Sequence, residues 1–221
     1  MNQHLEQYGF VIVPKVLPAD ELQQLGTALG VVEGAGRRGL LAEPAVAHFA
    51  HLAKLIELVR PHLPAEPRSV RAVFFNKTAD VNWLVAWHQD LTIAVKEKIE
   101  VPGFTVWSVK EGIPHVQPPV ELLQSMLTIR VHLDDCDETN GAMRVLSGTH
   151  KYGRLPALEI EELRERHPEH LCRAAAGDVM LMRPLLLHAS SKSLGGRQRR
   201  VLHIEYAGFT LPAGLDWSDR A

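Results

Sequence analysis

Cysteine is nearly absent: Cys136 and Cys172 are the only two in 221 residues, and neither belongs to a CxxC pair. A disulfide framework and a paired redox motif are thereby excluded, and free thiols in a reducing cytoplasm are expected. Long apolar runs are absent too. The first, Phe10 to Val13, has four residues and is far too short for a signal-peptide core or a membrane span. Charge of one sign is not in excess either. The 24 Lys and Arg against 26 Asp and Glu leave a formal net charge of -2, without the basic footprint of a nucleic-acid binder. Internal repeats and low-complexity tracts are missing as well. A cytoplasmic protein with neither a nucleic-acid nor a membrane partner is therefore expected.

What is present is ordinary except in one respect. Hydrophobic residues at 46% and charged residues at 23% suit a globular chain, and the length suits one sizeable domain spanning residues 1–221. The exception is histidine, with twelve residues.

The first third reads as helical around one short strand. Gln3 to Tyr8 forms a turn of helix ended by Gly9, and Phe10 to Val13 is a β-branched run stopped by Pro14. Pro18 followed by Asp20 and Glu21 begins a helix, since proline and acids suit a first turn. The spacing of Val46, Phe49, Leu52, Leu55, Ile56 and Val59 predicts a single helix over residues 44–59, and Gly34, Gly36 and Gly39 mark a mobile loop before it. Beyond residue 67 short strands dominate: 70–75, 126–133, 143–146, 179–182 and 201–206, separated by turn signals such as Thr139-Asn140-Gly141 and Gly177-Asp178. Many short strands imply a sandwich or jelly-roll barrel with the helices packed outside. Residues 96–124 are Pro-interrupted and weakly periodic, as expected of a lid or binding loop.

Histidine directs attention to metal chemistry. Oxygen-activating iron is held by two histidines and a carboxylate on one face, with open positions opposite. An H-x-D pair on a strand places both side chains on one face, and a later strand must supply the third ligand. With twelve His and nine Asp, about half a chance H-x-D is expected from composition. There are two: His88-Gln89-Asp90 and His132-Leu133-Asp134. The second lies in an alternating segment whose polar face His132 and Asp134 would line, and spacing does not choose between them.

A resemblance does. Four segments in order resemble the phytanoyl-CoA dioxygenase family. They are the opening Tyr8-Gly9-Phe10-Val11-Ile12-Val13 with Leu17-Pro18-Ala19-Asp20-Glu21-Leu22; Trp87-His88-Gln89-Asp90; Asn140-Gly141-Ala142-Met143-Arg144-Val145-Leu146-Ser147-Gly148-Thr149-His150-Lys151; and His188-Ala189-Ser190 with Arg199 eleven residues past the histidine. The resemblance implies a double-stranded β-helix, a jelly-roll-like barrel with an N-terminal helical layer. It also implies bound Fe(II), with 2-oxoglutarate as cosubstrate and O2 as oxidant. His88, Asp90 and His188 fall at its metal-ligand positions. Arg199 falls where the distal carboxylate of 2-oxoglutarate is paired, a role suited to a planar guanidinium, with Ser190 joining that contact. Arg197 and Arg200 are the competing arginines, and on a strand Arg199 and Arg200 face opposite ways. Asn76 is a candidate hydrogen-bond partner of the cosubstrate or else a strand-end turn residue. Arg130 falls beside the cosubstrate or else bridges to Asp134, Asp135 or Glu205. His150 fixes a turn, His203 faces the lumen, and His4, His48, His51, His62, His167 and His170 read as surface residues.

The activity so implied is a dioxygenase that hydroxylates a small molecule while 2-oxoglutarate yields succinate and CO2. Asp90 disfavours a halogenase, in which a small residue replaces the carboxylate to admit halide. Phe104, Trp107 and His115 are the substrate-facing candidates of the lid. Lys96, Lys98 and Lys110 are offset by Glu97, Glu100 and Glu111, so the sequence assigns no charge to the substrate. Two other readings remain: a zinc-dependent hydrolase on the same three ligands, and a non-catalytic small-ligand-binding barrel.

Overall fold

A computed structural model describes residues 2–31 and 34–219. The N-terminal part comprises α1 (Asn2–Tyr8), β1 (Phe10–Val13), α2 (Ala19–Leu29), β2 (Gly36–Arg37), α3 (Pro44–Ala50) and α4 (Ala53–Val59). The middle follows with β3 (Arg68–Lys77), β4 (Val85–His88), β5 (Ile93–Ala94), β6 (Thr105–Lys110), β7 (Ile113–Gln117) and α5 (Val120–Gln124). The last part holds β8 (Met126–His132), β9 (Met143–Leu146), α6 (Ala157–Arg166), β10 (Glu169–Cys172), β11 (Val179–Met182), β12 (His188–Ser190) and β13 (Arg199–Ala207).

Two antiparallel sheets carry the architecture: a six-stranded sheet ordered β1-β11-β8-β13-β3-β2 and a four-stranded sheet ordered β10-β9-β12-β4. Chain neighbours are often not sheet neighbours, as in a jelly roll. The fold class expected from sequence is the one observed. Alternation sorts the side chains. On β8, Leu127, Ile129 and Val131 join a core shared with Leu25 and Leu29 of α2, Phe49 of α3 and Leu55 of α4. Thr128, Arg130 and His132 consequently point into the barrel. On β13, Leu202, Ile204 and Tyr206 face the helices, while Val201, His203 and Glu205 face inward. The Tyr206 hydroxyl donates to the Ala50 carbonyl at 2.7 Å and ties the helical layer to the sheet.

Three expectations change. The single helix over 44–59 is two, broken at His51–Leu52, where Leu52 is extended at φ -55° and ψ 131°. The break turns both halves so that Val46, Phe49, Leu55, Ile56 and Val59 all reach one core. The glycine-marked loop contains β2, which pairs with Phe74 and Phe75 of β3. Residues 96–124 are not irregular: β6 and β7 form a hairpin that pairs with β5 in a third sheet. Among the described residues no helix is long and apolar enough to cross a membrane.

The inward residue His132 gives a stability prediction. Burial, reinforced by the charge of Arg130, pushes its imidazole down to about 4, from 6.5 in the unfolded chain. Between those values the unfolded chain binds a proton that the folded one does not, so stability falls as pH drops through that window. Urea unfolding is expected to show a smaller loss between pH 6.5 and about 4 in His132→Asn than in wild type. Equal losses would mean that His132 does not titrate on unfolding.

Candidate metal centre

β4 and β12 lie side by side, with His88 opposite His188 in register. The ring centroids are 4.1 Å apart. A register shift between His188 and Ser190 marks an irregularity of the kind that re-aims side chains beside active sites. Each imidazole is oriented by its own strand: His88 Nδ1 donates to Ala86 O at 2.8 Å and His188 Nδ1 to Leu186 O at 2.9 Å. Both Nε2 lone pairs are left for an ion, the usual arrangement for metal-binding histidine.

Asp90 completes the cluster, but not from a strand. β4 ends at His88, so the carboxylate reaches in from the following loop. The Asp90 N–H donates to Pro184 O at 2.9 Å. Buried Gln89 pins the same loop: its amide donates to Gly153 O and Leu185 O, and its carbonyl accepts from Leu155 N–H. Asp90 Oδ2 lies 3.8 Å from His188 Nε2, and Oδ1 lies 4.0 Å from His88 Nε2. One ligand atom from each of the three residues lies within 4.8 Å of the others.

The electrostatics suit a cation. Burial pushes the Asp90 carboxyl up, but His188, His203, His88 and Arg71 together hold it down to about 2. Burial holds His188 down to about 4 despite Asp90. At neutral pH the pair is therefore carboxylate and neutral imidazole, the forms that bind metal. Asp90 Oδ2 is buried without a hydrogen-bond partner, which a bound divalent ion would satisfy.

Beside the triad lies a cavity of about 340 Å³. Arg130, Arg199 and Ser190 line it, and Ser190 is buried two residues beyond His188 on β12. Arg199 donates to Gly141 O. Gly141 has φ +77°, and a Cβ there would come within 2.4 Å of Ser191 O, so only glycine lets this carbonyl approach. Arg130 donates to His203 Nδ1 at 3.1 Å and lies 5.5 Å from the Phe75 ring. His203 Nε2 in turn faces Glu205 at 3.3 Å, and Glu205 pairs with Arg71 at 2.7 Å. Among the described residues no carboxylate lies within salt-bridge distance of Arg130 or Arg199, and the Nε of each is buried without a partner. Burial and the neighbouring Arg199 push Arg130 down to about 10 and buried Lys77 down to about 8. Arg130 and Arg199 repel one another where they line the cavity, a place suited to an anion.

The other expected residues lie elsewhere. Arg200 turns outward to Asp134 at 2.7 Å, which takes the second H-x-D apart: Asp134 faces out while His132 is buried inside. Arg197 pairs with Asp137 at 2.5 Å on the surface. Asn76, opposite Arg200 in register, accepts from Gln198 and does not line the cavity. Phe104 and Trp107 pack in a side core with Ile93, Val116 and Trp217; His115 is buried on the other face of β7, with Nδ1 at 2.9 Å from Ile113 O. None of these three lines the cavity; Leu91, Thr92 and Lys110 do. His62 is buried against Glu6, not on the surface. Sequence reasoning missed Gln89, Arg71, Trp83 and Arg38. The only local signal was the position of Gln89 between two ligands.

A jelly-roll barrel with a His/Asp/His cluster on β4, β12 and the loop after β4, and beside it two buried arginines that lack a carboxylate partner, defines the class of double-stranded β-helix proteins equipped for a metal and an anion. Within that class the chain belongs to the phytanoyl-CoA dioxygenase (PhyH) family, whose pattern residues 5–201 match. No curated protein is similar enough in sequence to be matched. Solved structures share the fold. AviO1 from Streptomyces viridochromogenes Tue57 is 20% identical with a TM-score of 0.69, over 96% of this chain and 95% of that one. EctD from S. alaskensis, solved with bound Fe, is 18% identical with a TM-score of 0.72, over 93% of this chain and 75% of that one. HygX from Streptomyces hygroscopicus, with nickel and 2-oxoglutarate bound, is 18% identical with a TM-score of 0.67, over 100% of this chain and 97% of that one.

Proposed function

We propose that the protein is an Fe(II)- and 2-oxoglutarate-dependent dioxygenase that hydroxylates a small molecule, with residues 1–221 acting as one oxygenase domain. One observation carries the reading. An ion-ready His88/Asp90/His188 cluster shares a cavity with two buried guanidinium groups that lack a carboxylate partner. Membership of the dioxygenase family and the iron- and 2-oxoglutarate-bound relatives of the same fold support it. When bound, the iron and cosubstrate supply the oxidising chemistry, with O2 consumed and succinate and CO2 released.

The chain's own residues hold and orient. His88, Asp90 and His188 hold the metal from one side and leave the cavity side open. Arg199 and Ser190 hold the distal carboxylate of 2-oxoglutarate, and Arg130 adds a second positive group held by His203. Phe75 and Trp83 form aromatic walls that help keep water from the reacting centre. A zinc hydrolase on the same ligands would have no use for Arg199 or Arg130.

The test is spectroscopic. Metal-free protein given Fe(II) and then 2-oxoglutarate under anaerobic conditions is expected to develop a visible metal-to-ligand charge-transfer band. Tight zinc binding with no such band would sink the dioxygenase reading in favour of the hydrolase. Small-molecule binding without any metal uptake would favour the non-catalytic barrel.

A further inference from the structure

The cavity is more basic than its cosubstrate requires. Five fixed cations line it, Arg38, Arg71, Lys110, Arg130 and Arg199, against one carboxylate, Asp90. Glu205 neutralises Arg71, and Glu111 meets Arg38 at 2.6 Å. Bound 2-oxoglutarate would neutralise Arg130 and Arg199, and Asp90 offsets only half of a divalent ion. Lys110 is left over.

Tertiary structure brings Lys110 there. Lys110 and Ile113 are register partners closing the β6–β7 hairpin, with Glu111 at φ +51° and Gly112 at φ +80° in the two-residue turn. The hairpin tip thus meets the 34–39 loop at the cavity mouth. The other lysines of the segment are engaged elsewhere, Lys96 with Asp216 and Lys98 with Glu100, each at 2.8 Å. Among the described residues Lys110 has no carboxylate within 4.0 Å, and its one hydrogen bond is a long 3.4 Å contact to Thr92 Oγ1. Burial and the charges of Arg71 and Arg38 lower its pKa, against the pull of Asp90 and Glu205. Lys110 itself is exposed, while Arg38 Nε on the same rim is buried without a partner.

We infer that the substrate is an anion, a small molecule bearing a carboxylate or an equivalent acidic group, held at the cavity mouth by the Lys110 ammonium. The inference rests on the dioxygenase reading and deepens it: the acidic group anchors at the rim, and the rest of the molecule extends along Phe75 and Trp83 toward the metal. Ammonium and guanidinium donors form charge-assisted bonds with such a group, which are stronger than neutral ones.

The test uses protein loaded with Fe(II) and saturating 2-oxoglutarate under anaerobic conditions, so that Arg199 and Arg130 are occupied. Calorimetry then compares three probes of similar shape and different charge: phenylacetate, phenylacetamide and phenethylamine. Phenylacetate is expected to bind about tenfold more tightly than the amide, and the amine most weakly. Lys110→Gln should erase the preference and Lys110→Glu invert it, both leaving the affinity for 2-oxoglutarate unchanged. Equal binding of acid and amide overturns the inference. So does no binding of phenylacetate, or a Lys110→Gln variant that weakens 2-oxoglutarate instead. The charge-transfer band is recorded first: its absence sinks the dioxygenase reading, whereas a normal band with charge-blind binding sinks this inference alone.

Discussion

Replacing His188 by alanine is expected to abolish Fe(II) binding at micromolar metal, and with it the charge-transfer band and all turnover of 2-oxoglutarate. His188 is the most enclosed of the three ligands, 5% exposed on the central part of the four-stranded sheet. Its ring is locked by the Leu186 carbonyl, so its Nε2 is presented without a cost in orientation. Loss of an outer-shell partner costs about 10–100-fold in metal affinity, and loss of a ligand itself should cost more. Only Asp90 and His88 would remain, and His88 is the more exposed histidine, with 40% of its side chain accessible. The control is His132→Ala, which removes the histidine of the other H-x-D pair and should leave metal binding in place. Thermal unfolding supplies a second reading. Fe(II) with 2-oxoglutarate should raise the midpoint of wild type and of His132→Ala, since a ligand that binds only the folded state stabilises it. It should not raise that of His188→Ala. Metal binding retained in His188→Ala and lost in His132→Ala would reverse the assignment of the site.

The second large effect is expected at Arg199. Arg199→Gln should weaken 2-oxoglutarate by on the order of 100-fold, from the about 2–5 kcal/mol that truncating one partner of a buried charge pair costs. Fe(II) affinity should change little. Arg200→Gln should leave 2-oxoglutarate binding as in wild type, because that side chain is spent on Asp134 outside the barrel. The apoprotein adds a less obvious expectation. Arg199 lies close enough to lower the pKa of both Arg130 and Lys77, so its removal relieves repulsion among buried cations. Urea unfolding of metal-free Arg199→Gln should therefore show no loss of stability beyond that of its lost Gly141 contact. Titration of the charge-transfer band with 2-oxoglutarate measures the first effect. Unchanged half-saturation in Arg199→Gln would remove the anchor from the proposal.

Much of this site is legible along the chain because it follows local rules. The ligand motif is two residues apart, and Ser190 is two residues from His188, so short-range geometry keeps each pair together. The two-residue strand period separates Arg199 from Arg200, and Leu202 and Ile204 from His203, without reference to any other part of the chain. Even so, Asp90 is held by a loop and by Gln89, not by the strand that the H-x-D pattern suggested.

What sequence by itself determined is the family, the mainly β fold, six of the thirteen described strands (β1, β3, β8, β9, β11 and β13) and the residues that can serve as ligands and anchor. Tertiary structure decided which of these meet. Pairing of β12 with β4 sets His188, a hundred residues along, against His88. The pairing of β13 with β8 sets His203 opposite Arg130, so that arginine is held by an imidazole and not by the carboxylates nearest in sequence. Folding of residues 96–124 into a hairpin buries Phe104 in a side core and sends Lys110 to the cavity. The physical reason is the same in each case. Side-chain alternation is fixed by local backbone geometry, whereas the neighbour across a sheet depends on which strand distant in the chain pairs there, and the pattern of one strand alone leaves that open.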